Sequence, residues 1–247
     1  MQRYFVQRDQ IKENRIIIVG DDVHHIKRVM RFRKGTNIIC ADGKGNDYLT
    51  EIVELTKEAV ICKIISITPS KGETKRELVL AQALPKGDKW EWILQKGTEL
   101  GVTSFYPFFS ARTLVKIHPE KLEKKLKRWQ RIVKEAAEQA HRGVLPVIHP
   151  PLRWDSLLSL VQKQSNVLIA YEKGGRPIRA CLEERQEQTS AWLIIGPEGG
   201  FAPDEIEAAK NAGAVPVTLG PRILRTETAS IVGLTCILYA NGELGGE

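Results

Sequence analysis

Two hydrophobic patterns divide the chain. From about Arg3 to Thr68, short β-branched runs dominate: Tyr4–Val6, Arg15–Val19, Thr36–Cys40, Tyr48–Val53 and Ala59–Ile65. Turn sequences such as Asp42-Gly43 and Gly45-Asn46 separate them, so the runs predict the strands of a small β-barrel. One helix interrupts the series. Asp21 or Asp22 supplies its N-cap, and the helical spacing of Val23, Ile26, Val29 and Met30 predicts a single buried face, which leaves Lys27, Arg28 and Arg31 for solvent or phosphate.

The stretch Pro69–Glu77 is polar, contains Pro and Gly and has no apolar period, which marks a domain boundary. The expected domains are residues 1–70 and 78–247, joined by a linker at 71–77. In the second, strands at about Leu78–Leu84, Ser104–Phe109, Val167–Tyr171, Ala191–Ile195 and Val215–Leu219 alternate with helical segments, the arrangement of a mostly parallel α/β sheet. A helix from Pro119 to about His141 gathers Leu122, Leu126, Trp129, Val133, Ala136 and Ala140 on one face. The last helix, Thr228 to about Ala240, is apolar nearly all round, which predicts burial in the core or against a second subunit.

The stretch Trp192–Ala229 organises the second half. It reads as a buried strand, a loop of Gly196, Pro197, Glu198, Gly199 and Gly200, a helix opening at Pro203, a second strand, another corner at Gly220-Pro221, and finally Arg222–Thr228. Two irregular loops thus leave neighbouring strand ends, where α/β sheets bind small ligands. Taken alone, the glycine loop reads equally as a plain turn or as a cradle whose backbone approaches a ligand closely.

Composition narrows the class. With 247 residues, 42% hydrophobic and 27% charged, the chain is of ordinary globular make-up with room for one large or two modest cores. Its longest apolar run, Ile231–Ala240, falls well short of the ~20 residues of a membrane span. No apolar core of a secretory signal follows the basic start, so a cytoplasmic protein without secretory signal or membrane attachment is expected. Cys40, Cys62, Cys181 and Cys236 are widely spaced, which indicates neither a metal site nor disulfides.

The net charge of +7 suggests a polyanionic partner. Between Arg112 and Lys134, nine basic residues stand against two acids, so this segment alone matches the excess of the whole chain. A second cluster, Lys27, Arg28, Arg31, Arg33 and Lys34, has no acid among Val23–Lys34. Each cluster alone fits a solvated helix face; two separated basic surfaces fit an extended nucleic acid.

No dinucleotide fingerprint and no phosphate loop occur: Gly43-Lys-Gly45 lacks the third glycine and a following helix. The sequence GPEGGF at Gly196–Phe201, followed by LGPRILRTETA at Leu219–Ala229, instead closely resembles the cofactor-binding end of the SPOUT methyltransferases of the RsmE type, which methylate N3 of a uridine in 16S ribosomal RNA. RYFV at Arg3–Val6, HHIKRVMRFRKG at His24–Gly35, ALPKGDKWEWILQKGTELGV at Ala83–Val102 and EAAEQAHR at Glu135–Arg142 extend the resemblance over essentially the whole chain.

The resemblance implies a PUA-like RNA-binding barrel, a SPOUT α/β domain whose last segment threads a trefoil knot, a homodimer, and 16S ribosomal RNA of the small subunit as partner. Knots are almost absent from other folds, so hydrophobic pattern would have argued against one. The resemblance also implies S-adenosylmethionine as cofactor. By position it would be held by Ala170, Tyr171 and Glu172; by Ile195, Gly196, Pro197, Gly199 and Gly200; and by Leu219, Gly220, Ile223, Leu224, Thr226, Thr228 and Ala229.

Methyl transfer from a sulfonium needs no metal, but the N3 proton of uracil must leave, which calls for a base or for cations that stabilise the imide anion. Arg225 is the candidate for the second task, with an ion pair to an acid such as Glu227 as the alternative. Glu198 reads as base, as cofactor hydrogen-bond acceptor, or as an acid satisfying a helix N-terminus. No cysteine lies in these loops, which favours a ring nitrogen over the pyrimidine C5. Drawn from the basic clusters and the resembling stretches, the RNA-contact candidates are Arg3, Lys27, Arg28, Arg31, Lys86, Arg112, Lys124, Arg128 and Arg142. The rival readings are an assembly factor that binds RNA without catalysis and a knotted enzyme with another target atom.

Overall fold

The computed structural model describes residues 1–184 and 189–245. The chain forms two compact units. Met1–Glu73 and Lys134–Leu145 make the first; Thr74–Val133 and Pro146–Glu247 make the second.

In the first unit, β1 (Arg3–Phe5), β2 (Arg15–Val19), α1 (Asp21–His24), β3 (Asn37–Ala41), β4 (Asn46–Leu55) and β5 (Ala59–Pro69) follow in order. The sheet runs β1-β3-β4-β5-β2, with β1 parallel to β3 and the other pairs antiparallel. Alternate residues face one core: Ile16 and Ile18, Ile38 and Cys40, Val60 and Cys62 are fully buried with Tyr4 and Ile26, as the two-residue period of a strand dictates. The barrel expectation is met as a half-barrel sheet.

The helix after β2 departs from expectation. Only four residues are α-helical; His25–Val29 continues as a π-helix. The wider turn breaks the 3.6-residue period. Val23 and Ile26 are buried, but Val29 is 59% and Met30 37% exposed, so the predicted apolar face holds only for its first half. Lys27 turns inward, its Nζ donating to the Thr56 carbonyl at 2.5 Å.

Two of the expected RNA contacts are interior ion pairs of this unit. Arg3 is 5% exposed and bonded to both Asp47 oxygens at 2.5 and 2.6 Å. Arg142 is 1% exposed, and its Nη2 meets Glu73 at 2.7 Å. The Glu73 carboxylate also accepts the Gly143 and Val144 amides at 2.8 and 3.0 Å. Both arginines are thereby committed to structure, a pairing that a count of charges along the chain does not reveal.

The second unit contains β6 (Glu77–Ala83), α2 (Lys89–Glu99), β7 (Ser104–Phe109), the first part of α3 (Pro119–Gln139), β8 (Val147–Ile148), β9 (Leu152–Arg153), α4 (Trp154–Val161), β10 (Val167–Ala170), β11 (Arg176–Pro177), α5 (Ile178–Glu183), β12 (Ser190–Ile195), α6 (Pro203–Asn211), β13 (Val215–Thr218) and α7 (Thr226–Ala240). The strands pair in parallel in the order β11-β13-β10-β12-β6-β7-β8, with β9 also beside β7.

Both faces of this sheet are covered, so its central strands are apolar at most positions, with Gln82 on β6 a buried polar exception. Leu78, Leu80, Leu193 and Ile195 enter one core with residues of α2, α5 and α7; Val79, Ala81, Trp192 and Ile194 enter the other with residues of α4 and α6. The loops leaving β12 and β13 are not on neighbouring strands, as the sequence suggested, because β10 lies between. Three strand ends therefore converge instead of two.

Glu73→Gln preserves volume but leaves a buried guanidinium without its counter-charge. It is expected to destabilise the first unit by about 3 kcal/mol in urea unfolding. A loss below about 1 kcal/mol, the worth of an exposed ion pair, would contradict the role given to this pair.

Candidate functional site

At the ends of β10, β12 and β13 lies a cavity of about 670 Å³, within the range of small-molecule sites. Of the residues expected to hold a cofactor, fourteen line it: Ala170, Tyr171, Glu172, Ile195, Gly196, Pro197, Gly199, Gly200, Leu219, Gly220, Ile223, Leu224, Thr226 and Ala229. Arg225 and Glu198 line it too. Thr228 does not. α7 begins at Thr226, two residues before the expected start, so Thr226, Ala229 and Ser230 share one face and Thr228 turns to solvent.

Two glycines have steric reasons to be glycine. Gly200 has φ +67°, and a Cβ there would sit 2.5 Å from a Glu172 carboxylate oxygen. A Cβ on Gly196 would lie 2.9 Å from the Phe201 ring. At both positions the loop after β12 thus runs closer to its neighbours than a side-chain-bearing residue permits.

A buried polar network fixes the loops to the sheet. The Thr226 hydroxyl donates to the Gly196 carbonyl at 2.6 Å and accepts from Gln82 Nε2 at 2.9 Å. The Ser230 hydroxyl reaches Gln82 Oε1 at 2.5 Å. Gln82 and Ser230 are fully buried. On the other side, Glu205 accepts the Ala111 amide at 2.8 Å and the Ala202 amide at 2.9 Å, and Arg112 Nη1 donates to the Gly199 carbonyl at 2.8 Å.

Lys89, which the sequence reading did not single out, joins the walls electrostatically. Its Nζ lies 3.4 Å from Glu198 and 3.3 Å from Glu227, although Glu227 Oε2 has no aligned hydrogen bond. Glu227 is therefore the partner of Lys89, and among the described residues no ion pair holds the exposed Arg225. Burial opposes ionisation of Glu198, but the amides of Glu198 and Lys86 and the Lys89 ammonium outweigh it and hold the carboxyl below the ordinary carboxylate range. Such a group is ionised at neutral pH, a good acceptor and a weak base. Its interactions contribute stability above the unfolded-state pKa and lose it as pH falls through the depressed folded value.

The cavity chemistry suits an adenosyl sulfonium. Apolar Ile195, Leu219, Leu224 and Ala229 offer faces for a base, the glycine-rich backbone offers amides and carbonyls, and Glu172 and Glu198 offer negative charge. Pro221 and Arg222, inside the resembling stretch Leu219–Ala229, line it too, whereas Lys173, Phe201 and Thr218 were not anticipated; these three neighbour the named loop residues, which is the signal that could have found them. Among the described residues no group of three or more His, Cys, Asp or Glu gathers as a metal site would, and no helix is long and apolar enough to cross a membrane.

Of the RNA candidates in this unit, Lys86, Arg112, Lys124 and Arg128 are exposed. Arg128 shares its charge with Glu91 at 2.7 Å. In the first unit Arg28 and Arg31 are exposed, whereas Lys27 is partly withdrawn.

Residues 72–238 match the model of an RNA methyltransferase domain, and residues 18–65 that of an RNA methyltransferase PUA domain. The chain is 39% identical to ribosomal RNA small subunit methyltransferase E of Bacillus subtilis, covering 100% of both chains. It is 37% identical to the protein of that name from Mesomycoplasma hyopneumoniae, over 96% of this chain and 99% of the relative. Among solved structures, ribosomal RNA small subunit methyltransferase E from Neisseria gonorrhoeae, bound to S-adenosylmethionine, superimposes with a TM-score of 0.84 at 28% identity, covering 97% of each chain.

Thr226→Val keeps shape but removes the hydroxyl donor of the Gly196 carbonyl and leaves one Gln82 N–H unpaired, while Gln82 Nε2 keeps its bond to the Ala83 carbonyl. Thermal and denaturant unfolding should show a loss of about 1–3 kcal/mol; wild-type stability would mean that the network does not hold the loops.

Proposed function

We propose, from the premise that the chain belongs to the RNA methyltransferase family, that it transfers the methyl group of S-adenosylmethionine to N3 of a uridine in 16S ribosomal RNA of the small subunit. The observation that carries this reading is the convergence of three strand-end loops on one cavity, in a chain that matches a ribosomal RNA methyltransferase from end to end. When bound, the cofactor supplies an activated methyl group on a sulfonium that leaves as a neutral thioether. The chain's own work is alignment, water exclusion and handling of the N3 proton.

The loops Ala170–Glu172, Ile195–Gly200 and Leu219–Ala229 hold the cofactor. Glu198, ionised and tethered by Lys89, accepts a hydrogen bond there in preference to serving as base. Arg225 faces the uracil and stabilises the oxygens that gain charge as N3 loses its proton. Its exposure beside the cavity and its lack of an acid among the described residues support this role. Lys86, Arg112, Lys124 and Arg128 bind phosphates, together with Arg28 and Arg31 of the PUA unit.

The segment from β13 through α7 threads the chain as a trefoil knot, which would explain how loops of three non-consecutive strands stay together. The enzyme acts in the cytoplasm, where ribosomes are built, and as a homodimer. α7 buries Leu234, Ile237 and Leu238 against its own unit but leaves Ile231, Val232 and Cys236 half-covered and Tyr239 69% exposed, an apolar outer face that a second copy would cover.

Calorimetry should show S-adenosylmethionine binding, and mass mapping of 16S RNA from a deletion strain should show a uridine methyl group lost and then regained when the protein is restored. Absence of cofactor binding would sink the reading; a regained methyl group on a ribose or another base would move the target. Arg225→Ala should keep cofactor affinity while losing at least about 100-fold in turnover, the scale of a transition-state charge donor; unchanged turnover refutes its role. Light scattering at micromolar concentration should return twice the mass of 27.8 kDa, and a monomer would refute the dimer.

A further inference from the structure

The π-helical turn of the first unit puts two apolar side chains into water. Val29 and Met30 are 59% and 37% exposed, in a position where an ordinary α-helical period would have turned them inward. The turn is held open by specific bonds. The Met30 amide donates to the His25 carbonyl at 2.9 Å, the Phe32 amide to the Ile26 carbonyl at 3.0 Å, and His25 Nδ1 is paired with the Tyr4 hydroxyl at 2.9 Å. Arg31 follows at φ 54°, a left-handed conformation that a side-chain-bearing residue keeps only where its surroundings enforce it. π-turns and enforced backbone outliers both concentrate at functional positions.

Charge specifies the occupant. Arg28 precedes the apolar pair and Arg31, Arg33 and Lys34 follow it, all exposed, with no acid from Val23 to Lys34. Two apolar tips inside a cationic run do not suit a membrane surface, which takes a long apolar helix face, nor a hydrophobic protein groove. They suit RNA whose bases are unpaired, because such bases expose apolar faces beside their phosphates. Apolar side chains such as Met pack against nucleobase faces when they wedge between the base steps of duplex DNA, and an unpaired base offers such a face without the cost of unstacking a pair.

We infer that Val29 and Met30 form an apolar wedge that packs against an unpaired base of the RNA, while Arg28 and Arg31 hold the phosphates on either side. The wedge deepens the reading of the chain as an RNA methyltransferase and rests on it. It adds to phosphate attraction a means of selecting looped over paired RNA, which charge alone cannot do because both carry the same backbone.

The test uses the full chain with two probes of equal length, a ribosomal RNA stem-loop with an open loop and a fully paired RNA duplex, titrated over a range of salt. The double variant Val29→Ser, Met30→Ser should bind the stem-loop about tenfold more weakly, the scale of one apolar side chain returned to water. It should keep the wild-type salt slope and duplex affinity. Arg28→Ala should weaken both probes and reduce the slope by about 0.7 for single-stranded and about 0.9 for duplex contact, one phosphate neutralised fewer. Both apolar positions are exposed, and a thermal melt with cofactor titration confirms that the double variant is folded. A folded double variant with wild-type stem-loop affinity overturns the wedge, as does equal loss on both probes. A wild-type chain that binds neither RNA overturns the substrate reading itself and the wedge with it.

Discussion

The hydroxyl of Thr226 is the point on which the cavity depends. It donates to the carbonyl of Gly196 and accepts from the amide of Gln82, and Gln82 in turn receives Ser230 from the next turn of α7. Three segments distant in sequence, the end of β6, the loop after β12 and the start of α7, share one set of bonds. An unpaired polar group at such depth costs about 1–3 kcal/mol, so alternative placements of either loop are penalised at several atoms at once. Apolar residues could have filled the same volume, but would not have specified where each loop must lie.

Close packing does the rest. Gly196 lets its loop pass against Phe201, and Gly233 lets α7 approach Leu193, where a Cβ would come within 2.6 Å of Cδ2. Glu205 binds the loop after β7 to the start of α6 through two amides. The strand-end loops of this unit are therefore tethered before any ligand arrives. A pre-formed site has less conformational entropy to lose on binding.

Strands were legible in the sequence because β-branched runs and Gly or Asp turns mark them whatever the tertiary context. The six consecutive buried residues of β6 and the five of β12 announce a sheet covered on both faces. The cavity residues were legible because Gly-Pro corners after strands are local features, and Thr228 failed only because α7 starts two residues early. What the pattern could not carry were relations between distant positions. Lys89 meets Glu198 across 109 residues, Arg142 meets Glu73 across 69, and β10 separates β12 from β13. The same limit explains Arg3 and Arg142: charge density along the chain predicts a basic surface, yet only the fold shows which cations are already neutralised. The π-turn escaped for a different reason, since its residues have ordinary helical spacing and only a wider backbone turn re-aims them.

The charge balance at the cavity mouth then constrains its partner. Lys89, Lys173, Arg222 and Arg225 line the cavity with Glu172 and Glu198. Lys89 is engaged by Glu198 and, from just outside the lining, by Glu227. Arg222 and Arg225 remain exposed, without an acid among the described residues. Two guanidiniums without a protein counter-charge attract whatever anion approaches the cavity mouth. S-adenosylmethionine is a net cation whose single carboxylate can meet only one of the two guanidiniums. The remaining requirement falls on the acceptor: a nucleotide brings phosphates, and a uracil that has lost its N3 proton brings charge to the ring. The arginine-bearing loop at this cavity thus carries positive charge that a polyanionic partner would neutralise.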